Sequence, residues 1–72
     1  MDVKLTTHVP YLKQIEGNYM IESPITVKKF LQGLRVKWNE DALVIYNGKI
    51  SNGEEKLTDG DHIQLLIPLS GG

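Results

Sequence analysis

Hydrophobic and polar residues alternate with period two at the start of the chain. In Val3-Lys4-Leu5-Thr6-Thr7-His8-Val9, Val3, Leu5 and Val9 fall on one side, Lys4 and Thr6 on the other. That is the pattern of a half-buried strand. Pro10 cannot donate to a ladder and closes it. Tyr11-Leu12-Lys13-Gln14-Ile15 fits a short helical turn as well as a loop. Gly17-Asn18 has turn composition, so residues 19–22 are expected to form a second strand returning antiparallel to the first.

A helix is expected next. Ser23 before Pro24 is one possible start. Thr26 is the better N-cap, because Ile25 and Phe30 then form a hydrophobic staple across it. Val27, Phe30, Leu31 and Leu34 follow the i, i+3, i+4, i+7 spacing and make one apolar stripe. Gly33 is unfavourable in a helix interior by about 1 kcal/mol, which predicts an end near it. After the polar stretch Trp38-Asn39-Glu40-Asp41, the run Ala42-Leu43-Val44-Ile45-Tyr46 is apolar throughout. It is too short for a helix and reads as a central strand.

Asn47-Gly48 is a strong signal for a two-residue type I′ hairpin turn, with a short return strand starting at Lys49-Ile50. Residues 51–56 read as a loop and Thr58-Asp59-Gly60-Asp61 as a second turn. Residues 62–67 form the last strand. The order strand, strand, helix, strand, short strand, strand predicts an α+β roll. One main helix lies on one face of a mixed four- to five-stranded sheet, whose first and last strands are central and parallel.

Seventy-two residues leave room for one domain, and a chain of this size buries only about 60% of its unfolded surface. There is no cysteine, so neither disulfides nor thiolate zinc sites can staple the fold. His8 and His62 lack any ligand spacing, and no metal is expected. They read as surface strand residues. A net charge of −1 gives no basic field for nucleic acid. Lys28, Lys29, Arg35 and Lys37 read as a solvated helix face. With no apolar run of spanning length and no signal-like start, no membrane association is expected, and the location expected is cytoplasmic.

Catalytic patterns are few. Asp59 and Asp61 flank a glycine and are accounted for by turn chemistry. Ser51 and Ser70 have no histidine that the sequence places to activate them. No phosphate-binding glycine loop is present. The informative stretch is Ile67-Pro68-Leu69-Ser70-Gly71-Gly72. Pro68 ends the strand and releases a tail. This divides the chain into a domain over 1–67 and a flexible tail over 68–72. Extended, the tail reaches roughly 17 Å. Without side chains at its end, it can thread a narrow active site and present an unhindered carboxylate. A bland alternative is that terminal glycines are simply common in frayed ends.

Leu57-Thr58-Asp59-Gly60-Asp61-His62-Ile63, followed by Pro68-Leu69-Ser70-Gly71-Gly72, resembles the signature of the MoaD/ThiS sulfur carriers: an L-x-D-G-D-x-I turn and strand, then a short tail ending in Gly-Gly. Thr26-Val27 with Phe30-Leu31 resembles the helix start of that family. Val44-Ile45-Tyr46-Asn47-Gly48 resembles its V-x-V-N-G hairpin. The likeness covers residues 24–72, and residues 10–19 fit it poorly. His62 stands where an acidic residue is usual.

The resemblance implies a β-grasp, ubiquitin-like fold and a carrier that is not itself an enzyme. A ubiquitin-activating-type partner would use ATP to adenylate the carboxylate of Gly72. A sulfur donor would then convert it to a thiocarboxylate. The acceptor would be the large subunit of molybdopterin synthase or thiazole synthase, and the chain itself would bind no cofactor. Gly71 would give access, and Ser70, Leu69 and Pro68 would line the partner's channel.

A carrier needs a docking face. Ile63, Leu65 and Ile67 share one parity and are assigned to the core, so Leu66 points to the helix-free face. The third strand is apolar at both parities, so either Leu43 and Ile45 or Val44 and Tyr46 leave the core side. Ile45, Ile50 and Leu66 are expected to form an exposed apolar patch. The alternative is scattered surface aliphatics. Three other functions stay open: a protein modifier joined to lysines through Gly72, a carrier for tRNA thiolation, and a non-covalent binding module with incidental glycines.

Overall fold

A computed structural model describes residues 1–68. Its first strand, β1 (Asp2–Thr7), buries Val3, Leu5 and Thr7 and turns Lys4 and Thr6 outward. The strand stops two residues before Val9 because Thr7 spends its groups locally. Its N–H donates to the Glu16 carboxylate at 2.9 Å, its carbonyl accepts from Lys13 Nζ at 2.6 Å, and its hydroxyl accepts from the N–H of Val9. Hydrogen bonding by the Thr7 amide, with the charges of Lys13 and His8 nearby, holds the Glu16 carboxyl below its ordinary range.

Pro10–Ile15 is a 3₁₀ helix, with Pro10 at a position where its missing N–H costs nothing. This helix makes the reversal that the sequence assigned to Gly17-Asn18. Those two residues instead open β2 (Gly17–Met20), two residues ahead of the expected strand. Register explains the shift, since Leu5 pairs with Gly17 and Asp2 with Met20. Ile21 still donates to Met1 O at 2.9 Å, so the ladder frays one residue beyond the strand. Glycine also tolerates the φ of 154° at position 17.

Helix α1 (Val27–Gly33) begins as expected. The Thr26 hydroxyl accepts from the Lys29 N–H at 3.2 Å. Two further N-terminal amides are satisfied from outside the helix. Val27 N–H donates to Glu55 O and Lys28 N–H to Gly53 O. The helix does end at Gly33, but the left-handed cap residue is Arg35, with φ 66°. Val36 N–H donates to Leu31 O and Arg35 N–H to Gln32 O, the Schellman pattern. Burial of Val36 against the helix fixes that exit, so a non-glycine residue takes the strained position.

Strands β3 (Leu43–Tyr46) and β4 (Lys49–Ile50) form the hairpin around Asn47 and Gly48, whose φ values of 48° and 86° are those of a type I′ turn. Strand β5 (Asp61–Leu66) starts and ends one residue earlier than expected. The sheet order is β2-β1-β5-β3-β4, with β1 and β5 parallel and all other pairs antiparallel. The helix covers one face. Val27, Phe30, Leu31 and Val36 meet Val3, Leu5, Val44, Leu57, Ile63 and Leu65 there. Each such aliphatic contributes about 1.5–3 kcal/mol by leaving water. Tyr19 reaches the same core from β2 and sets its ring edge-on to Phe30 at 5.3 Å. Among the described residues no helix is long and apolar enough to cross a membrane.

Candidate functional site

Strand register assigns the opposite, helix-free face without ambiguity. Lys4 lies beside His62, and Thr6 beside Gln64. Leu66 lies opposite Leu43. Ile45 lies between Gln64 and Ile50. On β2, Asn18 and Met20 share this side with Lys4 and Asp2. The third strand therefore sends Leu43 and Ile45 outward and keeps Val44 in the core.

The outer face divides in two. Its half over β3, β4 and the end of β5 is apolar, made of Leu43, Ile45, Ile50 and Leu66. Ile50 is 71% exposed and Leu43 37%, while Ile45 and Leu66 are half-buried. The sequence named Ile45, Ile50 and Leu66. It offered Leu43 with Ile45 as one of two possible outward pairs without placing Leu43 in the patch, and the register sets Leu43 opposite Leu66. The other half is mainly polar, carrying Asn18, Lys4, Thr6, His62 and Gln64, with Asp2 and the exposed Met20 at its far edge. His62 Nε2 and Thr6 Oγ1 share a hydrogen bond at 3.0 Å. His62 is thus a half-buried strand residue, and His8 is exposed just past β1.

Strand β5 delivers the chain to the border of the apolar half. Ile67 is 58% exposed, contrary to the core position its parity suggested, because the strand ends at Leu66 before it. Pro68 follows and lines a shallow open groove of about 280 Å³ with Asn39, Ala42 and Leu43. Leu69, Ser70, Gly71 and Gly72 lie outside the described residues.

At its other end β5 is anchored by Asp61, which does more than shape a turn. Its side chain is buried and accepts from Tyr46 Oη at 2.7 Å, Thr58 N at 2.8 Å, Asn47 Nδ2 at 3.0 Å and Thr58 Oγ1 at 3.2 Å. Burial pushes its carboxyl up, but the donors from Asn47, Thr58 and Tyr46 outweigh burial and hold it below the usual carboxylate range. The same hydrogen bond, with burial and the carboxylate charge, pushes the Tyr46 phenol up to about 12. Asp59, its exposed neighbour two residues earlier, makes a single contact, accepting from Asp2 N at 2.7 Å. Lys28, Lys29, Arg35 and Lys37 are all exposed. No cluster of metal-ligating side chains occurs among the described residues.

An α-helix packed on one face of a mixed five-stranded sheet, with parallel central strands, defines a β-grasp protein. The ThiS family model matches residues 7–72, and the chain belongs to that family of small sulfur carriers. The match extends upstream of the likeness seen in the sequence and takes in the 3₁₀ segment. The fold is similar to a chain from the protein–protein complex of subunits 1 and 2 of molybdopterin-converting factor from Helicobacter pylori 26695. The two share 28% identity with a TM-score of 0.63, and the alignment covers 100% of each chain. No curated protein matches the chain significantly.

Proposed function

We propose that the chain carries sulfur on the carboxylate of Gly72 and docks on its partners through the apolar half of the outer face. An oxygen of that carboxylate attacks ATP in the active site of a ubiquitin-activating-type enzyme, releasing pyrophosphate and leaving an acyl-adenylate. Hydrosulfide released by a sulfur donor then displaces AMP at the acyl carbon and loses its proton, giving the thiocarboxylate. The chain supplies the acyl group and the docking face, and its partners supply the catalysis. The observation that carries this reading is the path of β5. A central strand of a sulfur-carrier fold runs along the apolar patch and hands the chain to Pro68 at the patch's border.

The acceptor we favour is the large subunit of molybdopterin synthase, since the similar solved chain comes from a complex of molybdopterin-converting factor subunits. Thiazole synthase is the second reading, favoured by the name of the matching family. Offering the thiocarboxylated chain to each acceptor and following sulfur in the product separates the two.

Two measurements test the scheme. Deleting Gly72 should abolish ATP–pyrophosphate exchange by the activating enzyme; exchange at the full rate would remove the terminus from the chemistry. Leu66→Asp should keep the fold and weaken binding to that enzyme by about tenfold or more in calorimetric titration. Unchanged affinity would take Leu66 out of the docking face.

A further inference from the structure

The polar half of the outer face is not explained by an apolar docking patch. Lys4 and His62 sit side by side there, one row from Ile45 and two rows from Leu66. Two hydrogen bonds hold His62. Its ring shares one with Thr6 and its backbone N–H donates to Asn47 Oδ1 at 2.8 Å, while Lys4 is its register neighbour on β1. The charged groups around this row are Asp2, also on the outer side of β1, Asp59, in the turn before β5, and the N-terminal ammonium, which donates to Ile21 O at 2.9 Å and lies 3.5 Å from Met20 Sδ. Asp59 is committed to the Asp2 amide, and Asp61 faces inward to Tyr46, Asn47 and Thr58. Among the described residues the only ion pair joins Lys13 and Glu16, away from this row.

We infer that the protein partner docking on this face presents a carboxylate to Lys4 and His62 beside the apolar surface that covers Leu43, Ile45, Ile50 and Leu66. The inference rests on the docking face proposed above and adds the chemistry of what it binds. Two adjacent basic side chains with no carboxylate in contact form a half-site for an anion. The large aliphatic half beside them selects a protein over a nucleic acid, whose backbone offers nothing to cover it. In the complex an opposing carboxylate favours a positive charge on His62. Docking therefore takes up a proton at His62, and affinity rises as pH falls through the range where histidine titrates. His62 and Lys4 are positioning and specificity residues.

The test measures binding of the full chain to the adenylating enzyme of its own genome by calorimetry, at about pH 6 and about pH 8. Four proteins are compared: the unaltered chain, His62→Gln, Lys4→Glu and Leu66→Asp. Glutamine keeps a polar partner for Thr6 but cannot take up a proton. The unaltered chain should bind several-fold tighter at the lower pH, and His62→Gln should lose that slope. Lys4→Glu should weaken binding about five- to tenfold, with the difference shrinking as salt is added. If Leu66→Asp abolishes binding while the unaltered chain and His62→Gln show equal pH slopes, or while Lys4→Glu binds normally, the acidic partner is refuted and the apolar docking face stands. If Leu66→Asp binds normally, the face itself is refuted and this inference with it.

Discussion

Replacing Asp61 by asparagine changes one atom and should remove a large part of the stability of the fold. The carboxylate is filled on both oxygens. Oδ2 accepts from the Tyr46 hydroxyl and the Thr58 amide, while Oδ1 accepts from the Asn47 side chain and the Thr58 hydroxyl. An asparagine must aim its NH₂ group at one pair or the other. Facing Oδ2's donors, it meets the Thr58 N–H, which cannot turn. Facing Oδ1's donors, it meets the Asn47 NH₂, which can flip only by giving up its acceptor role toward the His62 N–H. Either way one buried donor loses its acceptor, at about 1–3 kcal/mol, and the remaining bonds lose their charge assistance.

The expected loss is about 3 kcal/mol, against a total of about 4–11 kcal/mol for a chain of 72 residues. Urea unfolding followed by the fluorescence of the single tryptophan, Trp38, measures it directly. Asp59→Asn is the control. It sits in the same turn but is exposed with one amide contact, and should cost about 1 kcal/mol or less. Equal losses for the two variants would refute the anchoring role of Asp61.

Four further outcomes follow from the same geometry. Because the folded-state Asp61 carboxyl is held below its unfolded value, its contribution is complete above pH of about 4 and is lost as pH falls through the lower folded value; Asp61→Asn should flatten that acid limb. Tyr46 shifts the other way: absorbance titration should show it ionising near about 12 in the folded chain, and its contribution is complete below about pH 10 and fades above that. Gly53→Ala should cost about 2–4 kcal/mol in urea melts, since its φ is 87° and a Cβ there would stand 2.9 Å from Trp38 and 3.2 Å from Lys28 Cβ. Gly48→Ala, at a similar φ with open space, should cost only about 1 kcal/mol. Arg35→Gly should stabilise by about 0.5–1 kcal/mol by relieving the left-handed cap, and a loss would show that the arginine side chain has a further role.

The regular elements were legible because their signals are local. Alternation marked β1, the Thr26 cap and the apolar stripe marked α1, and Asn47-Gly48 marked the hairpin. What escaped depends on contacts between distant segments. Gly17 looks like a turn residue until Leu5 is found opposite it. Arg35 occupies a position that favours glycine because Val36 must be buried. Asp61 reads as turn chemistry until the hairpin from β3 folds over it. The apolar patch on the outer face was half visible: the parity of Leu66 followed from β5 alone, but the choice between the two possible outward pairs of β3 needed the register, which placed Leu43 beside Leu66. The family resemblance, carried by the turn before β5 and the glycine tail, came from residues 24–72, and the family model extends it to 7–72.

The central claim concerns a bond at Gly72, and intact mass spectrometry reads that bond. After incubation with ATP, the cognate adenylating enzyme and a sulfur source, the chain should gain about 16 Da, one carboxylate oxygen exchanged for sulfur, and the gain should map to the C-terminal peptide. A chain of unchanged mass under conditions where the enzyme consumes ATP, or a gain that persists after Gly72 is deleted, would contradict it.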